Sequence, residues 1–158
     1  MVKRYKLCNF EQCLHQGLSN AIPFIIAGLS MLDMIKKKAN YSKSMEVDEI
    51  IESMKVVASH TETNFRNKLE LLEAEQYGLT ARHDAAMCAY DSAVVSAQKA
   101  GFIQEQGLAC EKAGFYCKRM KYDEKSFMYF KQALECYKKW GSSVKVDFIR
   151  KELGKFSV

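Results

Sequence analysis

The 158-residue sequence contains a single proline, Pro23. It also has almost no stretch in which apolar and polar residues alternate between turn signals. The first shortage leaves the commonest helix breaker out of nearly the whole chain. The second excludes half-buried strands. With Ala, Leu, Lys and Glu spread throughout and 48% apolar residues, the composition predicts an all-α protein. Chemistry-bearing patterns are missing as well. There is no CxxC pair, no HExxH, no GxxxxGK phosphate loop and no HRD or DFG triplet. A phospho-acceptor histidine block is also absent. We therefore expect no catalytic residues, no metal, no cofactor and no enzyme activity in this chain. The longest apolar run, residues 21–32, contains Pro23, Gly28 and Ser30 and is too short for a membrane span. It also begins too deep in the chain for a signal peptide, so a cytoplasmic protein with no membrane span is expected.

What is present is mildly basic. The formal net charge is +5 and is well spread, which makes nucleic acid an unlikely partner. The densest cationic runs are Lys36 to Lys38, Lys118-Arg119-Met120-Lys121 and Lys138-Lys139. Each falls near the end of an expected helix, where positive charge complements the dipole. Six cysteines, Cys8, Cys13, Cys88, Cys110, Cys117 and Cys136, lie inside helix patterns. They read as reduced, mostly buried small apolar residues. Cys110 and Cys117 are two turns apart, a spacing that could form half a metal site but fits core packing better. His15, His60 and His83 stand apart from any metal pattern and are expected to be structural.

About eight helices follow from the periodicity: 2–17, 21–38, 45–59, 64–77, 81–99, 102–119, 123–140 and 144–153. Val47, Ile50, Ile51, Met54, Val57 and Ala58 make the stripe of the third. Gly78 to Thr80 is expected to end the fourth with a left-handed residue. Asp123 is expected to cap the seventh, and Ser142-Ser143 the eighth. Residues 39–44 form the best internal seam, and Gly154 to Val158 is expected to fray. Phe130 and Tyr137 share a core face with Ala133, while Trp140, Phe127 and Tyr129 add further apolar bulk.

A period of 40 residues runs through this order. Ala86, Tyr90 and Ala93 are matched by Ser126, Phe130 and Ala133, and Gly101 by Gly141. A small residue, an aromatic and a second small residue, each one turn apart, let a partner helix approach while the ring fills the gap. The glycines divide the chain into helical hairpins at about 21–59, 61–100 and 102–140, with a capping helix at about 144–153, all in one domain of residues 1–158.

The small–aromatic–small signature resembles tetratricopeptide (TPR) repeats, lengthened from the usual 34 residues. A closer likeness runs from Asn64 to Val146. It is carried by Asn64-Phe65-Arg66-Asn67-Lys68, Leu71-Leu72-Glu73-Ala74-Glu75, Tyr90-Asp91, Gly101-Phe102-Ile103-Gln104-Glu105, Trp140-Gly141 and Lys145-Val146. These residues resemble the TPR-like helical region of large multidomain signalling ATPases. In those proteins a protein-kinase-like domain and an AAA-type ATPase domain precede the helical region, and GAF, histidine-kinase or other output domains follow it. Asn67 stands where that family often has histidine, and Ser126 where it has alanine. The resemblance implies a TPR-like α-solenoid, a stack of antiparallel hairpins. It further implies a non-catalytic interaction or scaffold module, a fragment or relative of such a signalling protein, with any ATPase or kinase activity outside this chain. Its partner would be a protein or peptide segment, or the parent's flanking domains. The alternatives are a free-standing peptide-binding adaptor and a basic RNA-binding helical repeat. By the family pattern the first helix of each hairpin lines a concave surface, so Lys68, Glu75, Glu111, Phe115, Lys118 and Arg119 are the expected partner-binding residues.

Overall fold

The structure is a computed structural model that describes residues 44–60 and 62–156. The two helices expected before residue 44 lie outside these residues. The described chain is all-helical and contains no strand. Six α-helices are described: α1 (Ser44–His60), α2 (Glu62–Leu79), α3 (His83–Lys99), α4 (Ile103–Arg119), α5 (Asp123–Trp140) and α6 (Ser143–Leu153). A 3-10 turn, Gly154–Phe156, follows. Among the described residues no helix is long and apolar enough to cross a membrane.

Two compact units are present, dividing between Glu62 and Thr63. In the first, α1 buries Val47, Ile50, Ile51, Met54 and Ala58. These fall at the i, i+3, i+4, i+7 spacing that gathers apolar side chains on one side of a helix.

The second unit repeats itself in its backbone. Ala81 and Lys121, 40 residues apart, both take positive φ (57° and 60°). Gly101 and Gly141 do the same at 75° and 83°. Each left-handed residue is followed by an amide that reaches back five residues. Arg82 N–H bonds the Tyr77 carbonyl at 3.0 Å and Tyr122 N–H bonds Cys117 at 2.9 Å. Phe102 N–H bonds Ala97 at 3.0 Å and Ser142 N–H bonds Tyr137 at 3.1 Å. This C-terminal capping motif consumes carbonyls that a helix end leaves free.

Several local expectations are corrected here. Gly78 does not end α2; it lies within the helix, and Ala81 takes the left-handed conformation instead. The missing Cβ of Gly78 makes room for Tyr116, whose Cε2 would lie 2.8 Å from it. Asp123 does not cap α5: Tyr122 is the capping position and makes no side-chain bond, while Asp123 lies in the first turn, favourable to the dipole. Ser142 occupies the capping position of α6 but makes no side-chain bond either.

The small–aromatic–small triplets are the centre of the packing. Ala86, Tyr90, Ala93, Ser126, Phe130 and Ala133 are all fully buried. The Phe130 ring fills the place of a side chain at Gly114, with its nearest carbons 2.8 Å from a Cβ built there. Ser126 Oγ donates to the Gly114 carbonyl at 2.9 Å. Tyr137 uses Gly107 in the same way, at 2.8 Å. Helix α4 packs against both α3 and α5, and α5 packs against α6.

Helix α6 differs from α4 at the corresponding positions. The positions of α4 that receive α5 include Gly107, Cys110 and Gly114. Forty residues on, α6 carries Asp147 and Arg150, exposed and paired at 3.3 Å, before Gly154. The expectation of fraying is corrected for Gly154 to Phe156; Ser157 and Val158 lie outside the described residues. Phe156 turns back to lie 5.9 Å from the Phe127 ring and 6.1 Å from Phe130, covering the open side of α5. Trp140 and Phe127, by contrast, spend much of their surface in solvent.

Replacing Gly114 with leucine forces a side chain into the Phe130 ring, and overpacking of this kind costs about 1–3 kcal/mol. We expect Gly114→Leu to lower the thermal midpoint and leave helix content unchanged, as read by circular dichroism. An unchanged midpoint would contradict this packing register.

Candidate partner-binding face

Helices α2, α4 and α6 are linked by a seam of charge. Lys68 Nζ bonds Glu105 Oε2 at 2.6 Å, and Asn67 Nδ2 donates to the same oxygen. Lys145 Nζ reaches both carboxylate oxygens of Glu111, at 3.1 and 2.9 Å. Lys118 Nζ bonds Glu152 Oε2 at 2.8 Å, and Lys155 pairs with the other oxygen of Glu152. Burial would push the Glu152 carboxyl up, but the hydrogen bonds and charges of Lys118 and Lys155 outweigh it and hold its pKa below the ordinary value.

The six residues expected on the partner face divide under this geometry. Glu75 and Glu111 are buried and bind internally, which corrects their placement as ligand-facing groups. Glu75 Oε1 accepts from Tyr90 Oη at 2.6 Å. Glu111 Oε2 accepts from Tyr137 Oη at 2.6 Å as well as from Lys145. Lys68 is nearly buried and its ammonium lies 4.7 Å from the Phe102 ring centre. Phe115 is half-buried, 5.0 Å from Phe130 in an edge-on pair and 5.9 Å from Phe148. Lys118 is half-exposed but tied to Glu152. Arg119 is exposed at the end of α4, with its guanidinium 5.3 Å from the Tyr116 ring centre.

The two buried carboxylates illustrate how the repeat tolerates change. The pair Glu75–Tyr90 stands forty residues before Phe115–Phe130, and both make a contact between hairpin partners. A hydrogen bond in one unit is replaced by ring packing in the next. Both tyrosine hydroxyls that reach carboxylates, Tyr90 and Tyr137, are held protonated far above their usual range, by burial first and then by the acidic partner. They serve as fixed donors.

The remaining titratable groups give no reactive centre. Burial pushes the Cys110 thiol up to about 12 and Cys117 up to about 11, so neither is a ready nucleophile. Cys110 Sγ lies 3.6 Å from Gln132 Oε1, and Cys117 Sγ lies 3.7 Å from Met87 Sδ. Cys88 is the exposed one of the four described cysteines, and all four are free thiols. His83 Nδ1 lies 2.8 Å from Tyr116 Oη, linking α3 to α4. Among the described residues no group of three or more His, Cys, Asp or Glu could hold a metal ion.

Glu105, Lys145 and Glu152 were not singled out from the sequence as partners of Lys68, Glu111 and Lys118. Their separations of 37, 34 and 34 residues sit just below the repeat period. Opposite charges at that offset between alternate helices are the signal that identifies the seam.

Two expectations follow. Tyr90→Phe removes the hydroxyl donor from a buried carboxylate and should cost about 1–3 kcal/mol in denaturant unfolding. The double variant Tyr90→Phe with Glu75→Met replaces both partners by apolar groups and should recover part of that loss; strict additivity would deny the coupling. Glu152 has a depressed folded pKa, so its contribution is complete above its unfolded value of about 4.3 and disappears as pH falls through the folded value. Glu152→Gln should therefore be less stable than wild type at neutral pH by about 1–3 kcal/mol. The difference should vanish in melts run near pH 2.

No protein-family model, curated protein or solved structure matches this chain.

Proposed function

We propose that this chain is a non-catalytic interaction or scaffold module: a TPR-like, right-handed stack of antiparallel hairpins that docks or links other polypeptides. The observation that carries the reading is the recurrence, at 40 residues, of a left-handed turn and a fully buried small–aromatic–small triplet. A unit of this kind buries its apolar face only by stacking on a neighbour, which is the physical basis of repeat proteins that act through extended surfaces. On this reading α2, α4 and α6 line the concave side. The ionic seam sets their spacing, and the partner meets the side chains left accessible beside it, the exposed Arg119 and the half-buried Phe115 among them. The partner is a protein or peptide segment, or a flanking domain of a parent signalling ATPase or kinase whose chemistry lies elsewhere. The free thiols of the four described cysteines support a reducing, cytoplasmic setting.

The test is a selection of phage-displayed random peptides on the immobilised full chain, with bound peptides mapped by hydrogen exchange. Enriched peptides that protect amides in α4 and α6, with a shallow dependence on salt, are the expected result. Binding to single-stranded RNA that falls steeply with salt, without peptide enrichment, would replace this reading with the nucleic-acid one. Phosphate release from Mg-ATP by the chain alone would overturn its non-catalytic part.

A further inference from the structure

Trp140, Val144 and Phe148 are 50%, 79% and 41% exposed, unusual for large apolar side chains so close together in a chain. Trp140 and Phe148 are linked through Tyr137 and Lys145, and Val144 precedes Phe148 on the same helix. Trp140 lies 6.2 Å from the Tyr137 ring. The Lys145 ammonium stands 5.5 Å from Tyr137 and 5.8 Å from Phe148. Phe148 in turn lies 5.9 Å from Phe115 on α4. Val144 sits one helical turn before Phe148 on α6.

The exposed acids near this surface, Asp147 and Glu135, are paired with Arg150 and Lys138, and the charge left over is positive. Lys145, at its centre, is committed to Glu111. Lys139 and Lys151, beside Trp140 and one turn beyond Phe148, are exposed and hold no ion pair among the described residues. Residues 103–156 carry twelve Lys and Arg against seven Asp and Glu, whereas residues 63–102 carry four against five. The exposed apolar row and the surplus of positive charge therefore coincide on the last three helices.

Resting on the interaction-module reading, we propose that the Trp140–Val144–Phe148 row is a docking surface for an acidic peptide segment. An aromatic or large aliphatic anchor of the segment lies on the row, and carboxylates on either side of the anchor meet Lys139 and Lys151. The central lysine is neutralised from within, so it supports the rings and leaves recognition of charge to the two flanking cations. A nucleic-acid backbone would need a continuous cationic track, and Glu111 interrupts one at Lys145.

The experiment uses peptides selected on the full chain as above. Their sequences should be enriched in Asp and Glu around Phe, Trp, Leu or Met. Val144→Asp places an acid in the first turn of α6, where the helix dipole accepts it, so melting should be unchanged. Affinity measured by calorimetry should nevertheless fall by about tenfold or more, equivalent to about 1.4 kcal/mol. The pair Lys139→Glu and Lys151→Glu should produce a similar loss, and selection on that variant should favour basic peptides. Selected peptides that lack acids, or that bind both variants as they bind wild type, would overturn this site and leave the interaction-module reading standing. Failure to enrich any peptide would count against both. A wild-type dimer dissociated by Val144→Asp in sedimentation would assign the row to a second copy of the chain instead. Single-stranded RNA displaced by that same variant would assign it to nucleic acid.

Discussion

The Phe130 ring occupies the space that any side chain at residue 114 would need. That exclusion sets how closely α4 and α5 approach, and the neighbouring features follow from it. Ser126 reaches the Gly114 carbonyl because the helices are near enough for a hydroxyl to span the gap. Tyr137 lies in the slot of Gly107 and, from there, its hydroxyl meets Glu111. Fully burying a ring of this size contributes about 1.5–3 kcal/mol. Most of that gain depends on close packing, because a gap of even half an ångström forfeits much of the dispersion attraction.

A constraint on approach distance does not by itself choose which helices neighbour one another laterally. The ionic seam acts there. Lys68–Glu105 joins α2 to α4, and Glu111–Lys145 and Lys118–Glu152 join α4 to α6. Such pairs contribute little where solvent screens them, but Glu111 and Glu152 are largely buried, and breaking either pair would leave a charge inside. The seam therefore favours one register by making alternatives costly. It also withdraws most of its own charge from any partner, so the surface left for recognition consists of the groups the seam does not use.

The repeat itself was legible in one dimension. Residues 86, 90 and 93 and their counterparts forty positions later needed only a comparison of size and aromaticity, because a ring can enter a helix interface only where its neighbours are small. The positions of α2 through α6 were legible to within a few residues for a similar reason, since the stripe on each helix repeats at 3.6. The fate of Gly78 was not. A glycine near a helix end suits a left-handed cap and a close approach equally well, and the arrival of Tyr116 from a different helix decides between them. The site was less legible still. Glu75 and Glu111 sit where a ligand-facing residue would be expected from pattern, and only the tyrosines that come from partner helices show that both point inward.

The sequence by itself determined the helical class, the forty-residue period and the residues that make close approach possible, because these follow from periodicity, side-chain volume and the absence of proline. Tertiary structure alone decided which charges are spent internally and which remain available. Lysines 118, 139, 145 and 151 are chemically alike in sequence, yet two of them meet buried carboxylates and two do not. It also decided that Phe156 folds back on α5 while Trp140 stays in solvent. Both are aromatic residues following a helix or ending one, and only the helix each finds beside it determines whether it is covered.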